Sequence, residues 1–342
     1  MLKIPKILKM PDGMQKKNTI KTYSEAGIDL GKVKFIQDKI NSIIFAGKKN
    51  ALIGHYAGIM DFAKRKLAIH TDGVGSKVLV AQEMEKYDTI GIDAIAMNVN
   101  DIVCIGAFPL AGVDYLALAK EDDFLVAEIF KGLIAGANES EIEILGGETA
   151  IMPEIITGGK RPFDLAFTII GECRKLITGN EIKPGNIIIG LQSSGLHSNG
   201  FTLARKVLNT KKWGAEMLTP TKIYSKLLLE MISRCDIKGL AHITGGAFSK
   251  LMRLNKKYGF LLNNIPKPKP IFQALYNEIN NIREMYRTFN MGIGMCIITD
   301  KKYNEHIFAL AKKYNTAAFL IGEVITKPGV WLEQDKRKIR LD

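Results

Sequence analysis

At 342 residues, with 46% hydrophobic and 24% charged side chains, the chain is long enough for two cores and too apolar to be disordered. No apolar run approaches the roughly 18 residues that span a bilayer, so a transmembrane protein is not expected. The 48 basic side chains outnumber the 35 acidic ones, for a net charge of +13. The lysines are scattered, with no aromatic-interleaved basic module. A basic surface that attracts phosphorylated metabolites therefore fits better than a nucleic-acid-binding protein.

Residues 1–21 form a basic arm with a Pro11-Asp12-Gly13 turn signal and no continuous apolar stretch of the secretory kind. A cytoplasmic protein is expected. Residues 22–44 read as mostly helical, with Val33, Ile36, Ile40 and Ile43 on one face. Residues 66–70 alternate as a strand that stops at Thr71-Asp72-Gly73. There Asp72, Gly73, Gly75 and Lys77 leave the strand end together, which suits a metal-bound polyphosphate. After Tyr87, the residues Ile92, Ile95, Ala96, Val99, Ile102 and Val103 have the spacing of a buried helix face. The same helix carries Asp93, Asn100 and Asp101, and acids in apolar surroundings are costly unless paired or ligated. The chemistry is expected here. Asp93 and Asp101 lie about 12 Å apart along such a helix and cannot share one ion.

Residues 109–118 follow as a strand, 121–138 as a helix, 142–145 as a strand delivering Gly146-Gly147-Glu148-Thr149, and 165–171 as another strand. Residues 174–185, punctuated by Pro184-Gly185, are the expected seam between domains. Beyond it, strand 186–191 runs into Ser193-Ser194-Gly195-Leu196-His197-Ser198-Asn199-Gly200 and a helix over 201–208. A second helix is expected from Thr219-Pro220-Thr221, where Pro sits just inside a Thr cap. Then come His242-Ile243-Thr244-Gly245-Gly246, a variable region at 256–269, a buried strand at 295–298, a helix at 303–314 and a strand at 319–324. This alternation fits an α+β or mixed α/β architecture. Cys104, Cys173, Cys235 and Cys296 are far apart and form no Cys-x-x-Cys pair, so buried reduced thiols are expected.

These pieces, with Gly146 to Pro153, Ser193 to Gly200, His242 to Gly246 and Met285-Tyr286-Arg287-Thr288-Phe289-Asn290, resemble the aminoimidazole ribonucleotide synthetase family, also called phosphoribosylformylglycinamidine cyclo-ligases. The resemblance starts near Thr22-Tyr23-Ser24-Glu25-Ala26-Gly27 and continues to Gly322. It implies a first domain over 22–173 that binds ATP and pairs its sheet with that of a dimer mate. A second domain over 174–342 is implied to be a mixed sheet with helices. The implied reaction uses ATP to phosphorylate the formyl amide oxygen of formylglycinamidine ribonucleotide. An amidine-side nitrogen then closes the imidazole ring, and phosphate leaves.

The resemblance further implies magnesium on Asp72, Asp101 and Glu148, and catalytic roles for Asp101, Glu148 and His197. Nucleotide contacts would come from Gly73, Gly75, Lys77, Asp93, Asn100, Gly146, Gly147 and Thr149. The phosphorylated purine precursor would meet Ser198, Asn199, Gly200, His242, Thr244, Gly245 and Gly246. In Gly54-His55-Tyr56-Ala57-Gly58 the chain departs from its relatives, which run richer in glycine there. The residues also allow plainer readings. Asp72 and Glu148 could be turn residues, Asp101 paired with a lysine, Lys77 on the surface, His242 a satisfied core histidine, and Ser198 or Asn199 a helix cap. Thiamine-monophosphate kinases and selenophosphate synthetases share the acids, but the second-half motifs favour the cyclo-ligase.

Overall fold

The structure, a computed structural model, describes residues 20–44, 56–335 and 337–342. Most of the basic arm and the Gly54-His55 departure lie outside them. Helix α1 (Leu30–Ile44) places Val33, Ile36, Ile40 and Ile43 at the expected spacing, yet all four face solvent. Strands β1 (Gly58–Phe62) and β2 (Arg65–Gly73) form a hairpin, followed by α2 (Lys77–Met84) and α3 (Ile90–Cys104). Strand β3 (Ala107–Leu118), helix α4 (Asp123–Ser140), β4 (Glu143–Ile151) and β5 (Phe163–Cys173) complete the first half.

The first sheet runs β1-β2-β5-β3-β4 and is antiparallel except at β3–β4, which the α4 crossover makes parallel. Inward residues alternate along β5 as Phe163, Leu165, Phe167 and Ile169, because α3 and α4 cover only one face. The two helices touch backbone to backbone: a Cβ on Gly91 would sit 2.1 Å from the amide nitrogen of Leu133. On the other face Ile69, Leu110, Val113, Tyr115 and Ile170 are exposed.

The second half contains β6 (Ile187–Gln192), α5 (Phe201–Val207), α6 (Thr210–Met217), α7 (Ser225–Arg234), β7 (Ile237–His242) and a 3-10 turn over Ala247–Arg253. Strand β8 (Gly259–Leu262), helices α8 (Pro270–Ile279) and α9 (Ile282–Thr288), β9 (Ile293–Thr299), α10 (Asn304–Lys313), β10 (Ala318–Ile325), β11 (Gly329–Gln334) and β12 (Arg337–Arg340) follow. Their sheet runs β12-β11-β8-β10-β6-β9-β7. The helix expected from Thr219 starts only at Ser225, and Thr221 gives its amide and hydroxyl to Asp93. All four cysteines are buried free thiols, as expected. Among the described residues no helix is long and apolar enough to cross a membrane.

Helix α3 joins the halves. It packs on β2, β3 and β5 of the first sheet and also on α7 and β7 of the second half. Every residue from Ile90 to Cys104 except Ile92 is buried. Ile90, Ile95, Val99, Ile102 and Val103 each contribute about 1.5–3 kcal/mol by leaving water.

Candidate active site

Asp93, Asn100 and Asp101 of α3 can be buried because the second half supplies a partner for each, while Asn98 turns to the Asp72 and Ala94 carbonyls of the first half. Asp93 Oδ1 accepts from the Thr221 amide at 2.7 Å, the Thr221 hydroxyl at 2.6 Å and the Ser198 hydroxyl at 3.0 Å. Its Oδ2 lies 2.7 Å from Lys77 Nζ, and both side chains are fully buried. Lys77 also donates to the carbonyls of Thr219 at 2.8 Å and His197 at 3.2 Å. An ammonium has three donors, and all three are taken. Lys77 was expected at a phosphate; the structure buries it as a clamp between the halves, so it is not a surface lysine. Burial lowers its pKa, opposed by the Asp93 charge. Asp93 is likewise consumed by the clamp.

One turn and more along α3, Asn100 Oδ1 accepts from the Tyr224 amide at 2.9 Å, and its Nδ2 donates to Lys222 O at 2.9 Å. The same amide faces His242 Nε2 at 3.4 Å. That contact makes Nε2 the acceptor and leaves the proton on Nδ1, which donates to Asp101 Oδ1 at 2.6 Å. Asp101 Oδ2 lies 3.6 Å from His70 Nε2. Although burial raises the Asp101 pKa, the bond from His242 and the charges of Lys250, His242 and His70 outweigh it and bring the group to about 2. Asp72 shifts the other way, raised by burial and by the neighbouring Asp101 charge. Geometry puts the two acids in one neighbourhood: His70, two residues before Asp72 on β2, lies 3.6 Å from Asp101 Oδ2, and Asn98 of α3 donates to the Asp72 carbonyl at 3.2 Å.

Three strand ends gather beside this pair. Gln192 of β6 pairs with Ile293 of β9, and His242 of β7 pairs with Met295. The loops leaving β6 and β7 meet where a Cβ on Gly245 would lie 3.1 Å from Asn199 Oδ1. Ser198, Asn199 and Gly246 are half-exposed and Gly245 is exposed, whereas His197, Gly200, His242 and Thr244 are buried. The His197 ring is fully buried with φ +63°, and its Nε2 accepts from the Ser194 amide at 3.3 Å. Burial and the positive charges around it, His242 and Lys77 foremost, hold its pKa well below the usual histidine value. Neither Ser198 nor Asn199 caps α5, whose N-cap is Gly200 with no side-chain bond. The 285–290 motif braces this loop. Asn290 Nδ2 donates to Gly195 O at 2.9 Å, and the Phe289 ring fills the space a Gly200 side chain would need.

The first-half loops are distributed differently. Gly73 is half-exposed and Gly75 exposed at the end of β2. Gly146, Gly147, Glu148 and Thr149 lie on edge strand β4 and are exposed. Glu148 pairs with Tyr115, on the uncovered face of the sheet. It does not join Asp72 and Asp101 within one chain. Among the described residues no group of three His, Cys, Asp or Glu side chains is arranged to hold a metal. Lys250 carries no signal in the sequence, because nothing local marks a lysine in a short turn, and Thr221 reads there only as part of a helix start.

Fold and site together define a two-domain class. Residues 54–173 match the family described as AIR synthase related protein, N-terminal domain, and residues 183–333 match its C-terminal domain. The chain belongs to the AIR synthase related family. Among named relatives it is 47% identical over 327 residues to the phosphoribosylformylglycinamidine cyclo-ligase of Methanocaldococcus jannaschii, covering 89% of this chain and 92% of that one. It is 42% identical to the protein of the same name from Saccharolobus solfataricus, covering 93% and 98%. Two solved structures share the fold at lower identity. The HypE-HypF complex matches with a TM-score of 0.67 at 19% identity, over 89% of this chain and 98% of that one. Thiamine monophosphate kinase from Aquifex aeolicus matches with 0.64 at 16%, over 91% and 99%.

Proposed function

We propose that this chain is an ATP-dependent cyclo-ligase that converts formylglycinamidine ribonucleotide to 5-aminoimidazole ribonucleotide, with release of ADP and phosphate, in purine biosynthesis. The observation that carries the reading is Asp101, held from the other half by His242 at 2.6 Å and lying 3.6 Å from His70, two residues before Asp72 on β2. Relatives named for this activity, aligned over about nine-tenths of the chain, support it.

The residues fit magnesium bound together with a phosphate. That ion commonly takes one or two carboxylates and completes its shell with water and phosphate oxygens. Asp72 and Asp101 would hold it, and a divalent cation would relieve the repulsion that raises the Asp72 pKa. When bound, magnesium neutralises charge on the transferring phosphoryl group.

His242 keeps Asp101 oriented and ionised, and Asn100 fixes the His242 tautomer. The terminal phosphoryl passes from ATP to the formyl amide oxygen. The amidine-side nitrogen then bonds to that carbon, and the oxygen departs with the phosphate. Holding both anions in line is the main task. Gly73 and Gly75 leave backbone room on the nucleotide side. Ser198 to Gly200 and Thr244 to Gly246 form the ribonucleotide side. Lys77 and Asp93 act from a distance by fixing the His197 loop.

The exposed face around Val113 and Tyr115 is the surface on which a second copy would pair its sheet, and Glu148 stands on it. A cytoplasmic homodimer is the form we infer. Purified protein given formylglycinamidine ribonucleotide, ATP and magnesium should yield one ADP per aromatic aminoimidazole formed. ATP turnover with thiamine monophosphate, and none with the ribonucleotide, would overturn the assignment.

A further inference from the structure

Lys250 sits in the 3-10 turn Ala247–Arg253 that follows the His242 loop, and its side chain is buried. Its Nζ is hydrogen-bonded to Thr244 Oγ1, two residues beyond the His242 that holds Asp101. The ammonium lies 5.5 Å from the centroid of the Tyr56 ring, which Arg253 also approaches at 5.7 Å. Its negative neighbours are Asp101 and Asp72, yet among the described residues no carboxylate oxygen comes within 4.0 Å of it. The contrast with Lys77 is instructive. That ammonium has spent all three donors on Asp93 and two carbonyls, whereas Lys250 spends one, on a hydroxyl. A buried cation with unspent donors is costly, and a methionine would fill the same space without that cost. Burial lowers its pKa to about 8, with the two acids opposing the shift.

We propose that Lys250 is a working residue of the phosphate end of this site. In the nucleotide-free protein it serves as the resident counter-cation of Asp72 and Asp101, and in the complex it contacts the terminal phosphate of ATP. The proposal rests on the reading of Asp72 and Asp101 as the magnesium-nucleotide pair. A lysine suits both duties, since it is a compact point charge on a flexible stem. It also explains how Asp101 can be buried beside half-exposed Asp72 without a metal: the positive charge near them is built into the chain.

The test measures Mn²⁺ by electron paramagnetic resonance, with and without a non-hydrolysable ATP analogue, in the full chain and in Lys250→Met, Lys250→Arg and Asp101→Asn variants. Removing the counter-cation should tighten binding of Mn²⁺ alone by about ten-fold in Lys250→Met. The same variant should bind the Mn²⁺-analogue complex about ten-fold or more weakly, having lost a charged contact to phosphate. Lys250→Arg should stay near the parent in both. These opposite shifts are the signature, since a structural role would weaken both affinities together. Unchanged affinities in Lys250→Met, or a joint fall with a lower melting temperature, would overturn the proposal. If Asp101→Asn binds the Mn²⁺-analogue complex as the parent does, the carboxylate-pair reading fails and takes this inference with it.

Discussion

Replacing Lys77 by methionine tests the clamp between the halves. The substitution keeps most of the side-chain volume and removes the charge. Asp93 would retain three donors, from Thr221 and Ser198, but would be left as a fully buried carboxylate without its cation. The carbonyls of His197 and Thr219 would each lose a donor. Breaking one side of a buried ion pair costs about 3–5 kcal/mol. For 342 residues, at roughly 2 cal/mol/K of unfolding entropy per residue, that is a fall of about 4–7 °C in melting temperature. Asp93→Asn should also destabilise, and the double variant should lose less than the sum, with a coupling of about 1–3 kcal/mol. Differential scanning calorimetry and urea titration on all four proteins give the cycle, while steady-state kinetics give KM for both substrates. A Lys77→Met protein that melts like its parent but binds ATP poorly would refute the clamp and return Lys77 to the phosphate.

Three further outcomes follow from particular contacts. Val113→Lys puts a charge in the exposed sheet face, so light scattering should show loss of a species of twice the chain mass; a parent that is already monomeric and fully active would sink the dimer. Gly91→Ala forces a methyl against the Leu133 amide at 2.1 Å, and should cost about 2–4 kcal/mol in chemical denaturation, a loss that a stability within 0.5 kcal/mol of the parent would rule out. Burial and neighbouring positive charge depress the His197 pKa well below the usual histidine value, so the unfolded chain takes up a proton that the native state refuses. Its penalty is absent above pH 6.5 and grows as the pH falls below it. His197→Asn, which tolerates the positive φ, should therefore lose less stability than the parent between pH 7 and 5 in melting curves; parallel curves would mean the ring protonates freely.

Much of the fold was legible because most elements carry a local signature. The apolar period of α3 and the alternation of β5 are written into consecutive residues, and so is the conflict of Asp93 and Asp101 with their apolar surroundings. What resolves that conflict is not local. The carbonyls that saturate Lys77 belong to residues 120 and 142 positions away in the chain. Thr219 before Pro220 had the pattern of a helix cap, but α7 begins only at Ser225, with Thr221 held by Asp93 instead. Helix α1 shows the reverse case. Its period was read well, but a spacing reveals an apolar face without revealing what covers it. The glycines Gly146-Gly147 read as a loop after a short strand, whereas β4 runs on through them to Ile151, and nothing local tells which side of the sheet Glu148 takes.

The interleaved position of α3 also bears on how the chain is made. Synthesis delivers the first half well before Thr221, Tyr224 and His242, and a domain begins to fold as it emerges. Until those residues arrive, Asn100 has water as its partner, and Asp93 and Asp101 share water with Lys77 and His70 of the first half. A helix face of leucines in that position would invite neighbouring nascent chains to stick, whereas carboxylates keep the waiting surface hydrated. The groups expected to serve phosphoryl transfer in the finished enzyme would, seconds earlier, protect the half-made one from aggregation.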